Sequence, residues 1–327
     1  MTTTILAIDG GQSGTRARLH TGHDVSTGAG PGFTYRVDDP ARALGAAAAA
    51  AVTETGWTRQ EASLCAAAGL SGLPFGADAD RVAAELAHPL GSGVLYLCGD
   101  HVTAHAGALP DGRGVVLSLG TGTVAVGATE AGIRVVDGWG HLIDDAGSAS
   151  WFGRAALRAA LRHLDHRGAA PALFAAVQEL LGDVAAASRR LHESRHPSRE
   201  LARLAPLVFR AADEGDPAAR RIVSEGAAEL AATAAAAVPT AASSARGHLP
   251  VAVIGGLTRA GEALLDPLAV ALADALPAAR IVAAAGDCLD GAERIVRHGP
   301  GPYHAFVSEY RIHEGRATAI RRADRER

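Results

Sequence analysis

Residues 5–19 read ILAIDGGQSGTRARL, in which an apolar strand runs into Asp9 and then a glycine-rich loop before alternation resumes. A hairpin that only has to turn needs two residues, typically Asn-Gly or Asp-Gly. This loop is longer, exposes backbone N–H groups with no side chain in the way, and is lined by hydroxyls. Consecutive backbone N–H groups form anion-binding nests. A nest that begins with a carboxylate suits a phosphate accompanied by magnesium.

Two other nucleotide-binding loops fit this stretch less well. A dinucleotide fold has GxGxxG followed at once by a helix, whereas the spacing here is G-G-x-x-G and residues 15–19 alternate as a strand. A P-loop needs a lysine, and all 31 basic residues of the chain are arginine. The remaining alternative, for this loop taken by itself, is an ordinary glycine-rich turn.

The same design recurs in the second half of the chain. Residues 115–128 read VVLSLGTGTVAVGA, and a later strand, VAVIG (251–255), leads through Gly256 towards a helix. Such an internal repeat indicates two related lobes facing each other, and strands interleaved with helices indicate mixed or parallel sheets covered by helices. The pair of glycines at 255 and 256 would let a flat base approach the backbone.

Length and composition bound the architecture. A chain of 327 residues predicts about two domains, and the Pro/Asp/Gly-rich stretch 108–114 is the predicted crossing point. We therefore expect domains at 1–111 and 112–327, with a helix near 287–298 packing back on the first. Because only 4% of residues are aromatic, the cores must be built from Ala, Val and Leu. Residues 316–327 are predicted to be a solvated tail.

Charge and cysteine content limit the partners. A net charge of -4 does not indicate a nucleic-acid or membrane partner, and no stretch approaches the ~20 apolar residues of a membrane span. The N-terminus lacks the basic segment of a signal peptide. Three scattered cysteines fit a reducing compartment. We expect a cytoplasmic protein, with monomer and homodimer both open.

Asp100 is the first catalytic candidate. It follows the apolar run GVLYLCG (93–99), and ligands of open α/β sheets lie beyond the carboxyl ends of strands. A helix N-cap is the competing interpretation. His101 and His105 are four residues apart, but no third ligand stands at a zinc spacing, so a metal pair there is disfavoured.

A second candidate stretch follows the repeated loop. Gly138, Trp139 and Gly140 form a turn around an aromatic ring, and Asp144, Asp145 and the helix-capping Ser148 come next. Carboxylates and an aromatic face are typical of sugar sites. The alternative is a tryptophan that anchors the loop and aspartates that cap backbone groups.

Taken in order, five motifs resemble the N-acetylglucosamine kinase group of the actin-like ATPase superfamily, which includes the BadF/BadG/BcrA/BcrD-type ATPases. The likeness runs from about residue 5 to about residue 295. The motifs are DGGQSGT (9–15), GDHVTAHAGAL (99–109), GTGT (120–123), GWGHLIDDAGSASW (138–151) and VIGGLTRAGE (253–262).

The resemblance implies an α/β fold of two ribonuclease-H-like domains with the active site in the interdomain cleft, and ATP and Mg²⁺ as cofactors. Asp9 matches the carboxylate that positions the metal, and Asp100 matches the catalytic base. The nucleotide-binding positions are Gly10, Gly11, Gln12, Ser13, Gly14, Thr15, Gly120, Thr121, Gly122, Thr123, Gly255 and Gly256. The sugar positions are Ser71, Gly72, Thr121, Gly138, Trp139, Gly140 and Asp145.

Two departures from the family concern the sugar. The family usually reads G-D-E-G-S where this chain has Asp144-Asp145-Ala146-Gly147-Ser148, and the chain has no asparagine to place against the sugar. Thr34 or Tyr35 would have to replace it. The resemblance therefore supports ATP binding by this chain more directly than it supports a particular sugar substrate.

The resemblance implies ATP-dependent phosphorylation of an amino sugar, N-acetylglucosamine first, on its 6-hydroxyl. One alternative is a sugar-sensing or catalytically degenerate binding protein of the same fold. Another is an activator ATPase of a reductase, which would need closely placed cysteines for an iron–sulfur cluster.

Overall fold

The computed structural model describes residues 4–11, 14–33, 39–58, 64–71, 73, 78–239 and 248–324. Contacts divide the chain into two compact units, Met1–Gly112 with Ala284–Arg327, and Arg113–Ala283. The first crossing falls one residue from the expected boundary. The segment from Ala284 groups with the first unit, whereas the sequence-based boundaries placed it in the second domain.

The strands, in chain order, are β1 (Thr4–Gly11), β2 (Gly14–Thr21), β3 (Asp24–Gly30), β4 (Leu64–Leu70), β5 (Gly93–Cys98), β6 (Gly114–Leu119), β7 (Thr123–Thr129), β8 (Gly132–Asp137), β9 (Leu249–Ile254), β10 (Ala279–Val282), β11 (Ser308–His313) and β12 (Arg316–Arg321). The α-helices are α1 (Pro40–Glu54), α2 (Ala79–Leu90), α3 (Asp100–Ala108), α4 (Ala149–Leu164), α5 (Pro171–Leu181), α6 (Val184–Glu193), α7 (Pro197–Ala202), α8 (Ala205–Asp213), α9 (Pro217–Ala237), α10 (Glu262–Ala275) and α11 (Cys288–His298). Short 3₁₀ helices cover Gly256–Ala260 and Gly301–Phe306.

The two sheets repeat one order of strands. In the first unit the order is β12-β11-β5-β4-β1-β2-β3, and in the second it is β10-β9-β6-β7-β8. In each, the first three strands form an antiparallel meander, while the fourth and fifth run parallel to the first. The recurrence confirms the sequence prediction of two related mixed α/β lobes.

The two faces of β1 separate the core from the candidate site. Leu6 and Ile8 belong to a core cluster with residues of α1 and α2. Asp9, one residue further along, lies on the opposite face because side chains alternate along a strand, and there its ion-pair partner Arg16 also reaches α11. Strand alternation therefore directs the carboxylate away from the apolar core.

Helices α3 and α11 cross in close contact through two glycines. A Cβ atom at Gly107 would overlap the carbonyl oxygen of Asp287, and one at Gly291 would overlap that of Thr103. Only glycine lets the two backbones approach this closely. These contacts pair the start of α11 with the last turn of α3, and Gly291, one turn further along α11, with Thr103 in the first turn of α3.

The solvated tail predicted for 316–327 is wrong over its first half. Residues 316–321 form β12, which pairs with β11, and β11 pairs in turn with β5. Ala317 and Ala319 pack against the first unit's core. In RATAIR, the small residues Ala317 and Ala319 alternate with more exposed residues. The high arginine content of the segment made this strand pattern difficult to recognise from composition. Residues 325–327 lie outside the described residues.

The second unit has an aliphatic core with few aromatic side chains. Residues of β6, β7 and β9 pack against α4, α5, α8, α9 and α10 around the buried rings of Phe152 and Phe209. Ser148 caps α4 as predicted, since its side chain accepts a hydrogen bond from the Trp151 N–H at 3.1 Å. Among the helices that the structure describes, none is long and apolar enough to cross a lipid bilayer.

Candidate active site

In the first unit, three parallel strands end at one edge of the sheet. Asp9 of β1 lies opposite Gly69 of β4, and Gly69 lies opposite Cys98 at the end of β5. Asp100 follows two residues later. The parallel register therefore brings the two predicted carboxylates, Asp9 and Asp100, to the same edge.

Asp100 is the first residue of α3 rather than its N-cap. The N-cap is Gly99, and no side chain caps this helix. Desolvation by the surrounding protein, together with repulsion from Asp9, raises the pKa of the Asp100 carboxyl from its ordinary value of 3.8 to about 7. A carboxylate with a pKa near neutrality can accept a proton at physiological pH.

Asp9 is paired with an arginine that sequence reasoning missed. Arg16 Nη2 and Nε donate to Asp9 Oδ2 at 2.6 and 3.2 Å, and Arg16 Nη1 donates to Asp287 Oδ2 at 3.0 Å. Asp9 and Arg16 lie directly opposite each other across the β1–β2 hairpin. Asp287 is also the N-cap of α11. Arg16 thus joins the candidate metal carboxylate to the start of a helix.

The rest of β2 continues this contact with α11. Arg18 Nη1 donates to Asp290 Oδ1 at 2.7 Å and to Glu293 Oε1 at 2.9 Å, and His20 Nε2 lies 2.7 Å from the same glutamate oxygen. The basic residues recur at every second position of a strand and the acids at every third position of a helix, so each series lies on one face. We name this set the β2–α11 charge ladder.

The first glycine loop is partly described. Gly10 pairs with Thr15 and Gly11 with Gly14 in the hairpin, whereas Gln12 and Ser13 lie outside the described residues. Thr15 Oγ1 donates to the Pro31 carbonyl at 3.0 Å, so its proton is already used. The backbone N–H groups are what this part of the loop offers to a phosphate.

One sugar candidate adjoins this loop. The Ser71 N–H donates to the Gly10 carbonyl at 3.0 Å. Its Oγ is buried and finds no hydrogen-bond partner within the described part of the chain. A buried hydroxyl left without a partner costs free energy unless a ligand satisfies it. Gly72, Thr34 and Tyr35 lie outside the described residues.

In the second unit the repeated loop is held by main-chain hydrogen bonds. The Gly120 N–H donates to the Gly122 carbonyl at 2.9 Å, and the Ala149 and Ser150 N–H groups donate to the carbonyls of Gly120 and Thr121, each at 3.1 Å. The first turn of α4 thereby fixes the loop. Thr123 Oγ1 is buried and, within the described residues, unpartnered.

Asp137, which sequence reasoning also missed, organises the sugar motif. Its carboxylate accepts hydrogen bonds from the N–H groups of Gly138, Asp145 and Ala146 at 2.7, 3.1 and 3.0 Å. Desolvation, helped by repulsion from Asp144, raises the pKa of Asp137. Asp137 and Asp145 both adopt positive φ, 64° and 62°, a conformation that aspartate tolerates better than most residues.

Asp145 lies between the motif and the loop. It accepts a hydrogen bond from the Gly140 N–H at 3.1 Å, and a Cβ atom at Gly122 would come within 2.6 Å of its Oδ2. Burial, followed by the charge of Asp137, raises the pKa of Asp145 to about 6. The Trp139 side chain is 59% exposed and does not anchor the loop in the core.

The third glycine element lies against the same loop. A side chain at Gly255, whose φ is 101°, would overlap the carbonyl of Leu119, and Gly256 begins a 3₁₀ helix. Within the second unit, the predicted phosphate loop, sugar motif and base-binding element are thus neighbours.

The donor set fits a magnesium ion that arrives with phosphates. Mg²⁺ is usually bound by one or two carboxylates plus phosphate oxygens and waters, and Asp9 is the carboxylate available for this role. Among the described residues, no three or more His, Cys, Asp or Glu side chains group closely enough to hold a metal by themselves. The ion pair with Arg16 uses Oδ2 of Asp9.

Comparisons with known proteins identify relatives of this chain. Residues 6–289 match the BadF/BadG/BcrA/BcrD ATPase family. The N-acetylmuramic acid/N-acetylglucosamine kinase of Clostridium acetobutylicum is 30% identical over 141 residues, which is 42% of this chain and 46% of that protein. The chain therefore spans about half the length of this curated relative.

Two solved structures share the fold over 90% of the chain. A candidate N-acetylglucosamine kinase from Chromobacterium violaceum is covered to 99%, with a TM-score of 0.69 and 28% identity. A ROK family glucokinase from Streptomyces griseus, solved with glucose and AMPPNP, is covered to 100%, with a TM-score of 0.58 and 20% identity. These likenesses confirm the predicted actin-like ATPase fold.

Proposed function

The chain belongs to the BadF/BadG/BcrA/BcrD ATPase family, and we propose that it is an ATP-dependent kinase of N-acetylglucosamine that phosphorylates the 6-hydroxyl. The observation that carries this proposal is the pair Asp9 and Asp100 at one edge of three parallel strands. Similarity to kinases of amino sugars supports the substrate class.

Asp100 performs the proton chemistry in this proposal. Its carboxylate orients the sugar hydroxyl and accepts the proton as the oxygen attacks the γ-phosphorus. Phosphoryl transfer proceeds through a loose transition state, so positioning and electrostatic stabilisation supply most of the acceleration. A positioned general base contributes about 10²–10⁴-fold.

The glycine loops bind the nucleotide. Backbone N–H groups around Gly10 and Gly14, and those of Thr121 and Gly122 in the second unit's loop, are the donors for phosphate oxygens. Asp9 holds Mg²⁺, which when bound neutralises charge on the phosphates. The Thr123 hydroxyl is an additional donor, because within the described residues it has no internal partner.

The sugar motif selects the substrate. Asp145 carries free acceptor positions beside its hydrogen bond from Gly140, and the exposed ring of Trp139 offers a flat apolar face. Ala146, where the related kinases usually carry glutamate, is buried. The acidic neighbour Asp144 is exposed and raises the pKa of Asp145. Because these two positions differ in charge from the related kinases, the experiment below compares several amino sugars as substrates.

The test is sugar-dependent release of ADP, measured in a coupled assay with ATP and Mg²⁺. The panel comprises N-acetylglucosamine, N-acetylmuramic acid, glucosamine, N-acetylmannosamine, glucose and anhydro-muramic acid. We expect the highest kcat/KM with N-acetylglucosamine, and a 6-phosphate product by NMR.

Two results would overturn the proposal. Thermal stabilisation by a sugar without any ADP release would instead indicate a sugar-sensing protein. A higher kcat/KM for another sugar would replace N-acetylglucosamine while retaining the kinase.

A further inference from the structure

A ridge of three arginines runs along α4, on the part of the helix that follows the sugar motif. Arg154, Arg158 and Arg162 are exposed and follow one another at intervals of four residues, so they stack on one face of the helix. Like charges at this spacing repel each other and destabilise the helix. We name these three residues the arginine ridge.

Within the part of the chain that the structure describes, no carboxylate forms an ion pair with the ridge. Arg154 donates to the His141 carbonyl at 2.7 Å and Arg162 to the Arg167 carbonyl at 2.8 Å, and both acceptors are uncharged. For Arg158, the described residues provide no hydrogen bond or ion pair. Its guanidinium is free to receive an anion.

Two grooves of the second unit share this ridge as a common wall. The larger has a volume of about 690 Å³, and the smaller about 370 Å³. The larger groove is lined, beside the ridge, by Trp151, Ala155, Ala159, Arg221, Ile222 and Glu225. Its volume is in the range of pockets that hold small organic ligands, roughly 300–1,000 Å³.

The larger groove is lined by basic and apolar side chains of α4 and α9. Four guanidinium groups accompany one carboxylate, and that carboxylate, Glu225, already pairs with Arg221 at 3.4 Å. The apolar lining, which we call the apolar floor, consists of Ala155, Ala159 and Ile222, with Trp151 beside them. Guanidinium forks match phosphate oxygens better than any other side chain does.

From this geometry we propose that the larger groove binds a small organic phosphate. The phosphomonoester contacts Arg158 and Arg162, and the organic part lies on Trp151 and the apolar floor. Sugar phosphates and nucleotides share this chemistry. The proposal does not depend on kinase activity.

The test uses Trp151 as a reporter within the groove. The chain has three tryptophans, so Trp57→Phe/Trp139→Phe leaves Trp151 as the only one. Its emission is followed at constant ionic strength during titration with glucose 6-phosphate, AMP and, as an inorganic probe, tripolyphosphate. We expect a saturable change with at least one of the two monoesters, and the tighter ligand identifies the source.

Matched variants distinguish binding in the groove from a general effect of the protein's net charge. In the same background, Arg158→Glu should weaken binding about tenfold or more, since it removes a charge-assisted contact and adds a repulsive charge. Arg189→Glu, an equal charge change at an exposed position of α6 outside both grooves, should alter affinity less than about twofold because of screening. Arg158→Gln should give an intermediate loss.

Three outcomes would overturn the proposal. One is no saturable response to either monoester, including the case in which tripolyphosphate alone binds. Another is binding that survives Arg158→Glu in a protein with unchanged circular dichroism. The third is an equal loss in the Arg189→Glu control, which would indicate charge screening rather than a site.

Discussion

The β1–β2 hairpin of the first unit and the β6–β7 hairpin of the second hold equivalent places in their sheets but are fixed by different forces. The β1–β2 hairpin is joined to α11 by ion pairs, from Asp9–Arg16 along the β2–α11 charge ladder. Strands β6 and β7 carry no charged residue, and their loop is held by main-chain bonds to α4.

This difference indicates that two loops of similar sequence respond differently to charged ligands and to salt. Ion pairs can be exchanged for a metal or screened by salt, so the β1–β2 hairpin can respond to a charged ligand. Main-chain bonds backed by buried carboxylates are insensitive to salt and resist rearrangement. We therefore expect the β1–β2 side to provide adjustable electrostatics, and the β6–β7 side a preformed loop.

The largest expected effect is on the proposed catalytic carboxylate of the first unit, Asp100. Asp100→Asn should lower kcat by about 10²–10⁴-fold, the usual contribution of a general base, with KM for ATP little changed. Steady-state kinetics with the preferred sugar measures this. Asp111→Asn, at an exposed position of the same unit, is the control, and full activity of a folded Asp100→Asn protein would remove Asp100 from this role.

Next comes the buried carboxylate that holds the second unit's sugar motif. Asp137→Ala would leave three N–H groups without their acceptor, at about 1–3 kcal/mol for each buried group, so we expect a loss of roughly 3 kcal/mol or more in the free energy of unfolding. Urea denaturation measures it. Asp144→Ala, at the exposed neighbour, should change stability by less than about 0.5 kcal/mol, and similar losses in both variants would contradict the assigned role of Asp137.

A third effect depends on pH. Because the pKa of Asp100 rises from 3.8 to about 7 on folding, the folded protein keeps a proton between these values that the unfolded chain has released. This group's contribution to stability therefore falls as pH rises from about 4 to 7. Asp100→Asn should raise Tm relative to wild type at pH 8, and the difference should shrink towards pH 4.

Thermal melts in EDTA, which remove the influence of a bound cation, measure this difference in Tm. The Asp111→Asn variant should show no such trend. A difference in Tm that stays constant with pH would show that Asp100 titrates at its ordinary value.

The smallest effect tests the β2–α11 charge ladder. Arg18→Gln removes contacts to Asp290 and Glu293, and partly exposed ion pairs contribute about 0.2–1 kcal/mol. The loss should shrink in high salt. Urea unfolding at low and high ionic strength measures it, with Arg311→Gln on the same sheet as the control. A loss that salt does not reduce would indicate packing rather than charge.

The sequence predicted those parts of the fold that depend on local pattern. Apolar strands around glycine loops predicted the two hairpins, and the position of Asp100 after a continuous apolar run placed it at the sheet edge. Ser148 was predictable as a cap because a side-chain oxygen before a helix has one favoured use. The same local rules predicted the recurrence of the two lobes.

Contacts between distant segments could not be predicted in this way. Arg16 and Asp287 are 271 positions apart, and the packing of α11 against the first sheet brings them together. Their signal was nevertheless present, as basic residues at period two in β2 and acids at period three in α11. Asp137 was missed because its role depends on a positive φ, which residue type alone does not reveal.

The chain leaves the first unit after Gly112 and rejoins it at Ala284, and the Ala285 N–H donates to the Ala108 carbonyl at 3.0 Å. The second unit is therefore a cassette inserted between two adjoining points of its host. Recombination at these points could exchange the entire cassette, and with it the sugar motif, without cutting any strand of the host sheet. Asp9 and Asp100 both lie on the host side of these points, so such an exchange would leave the two carboxylates in place.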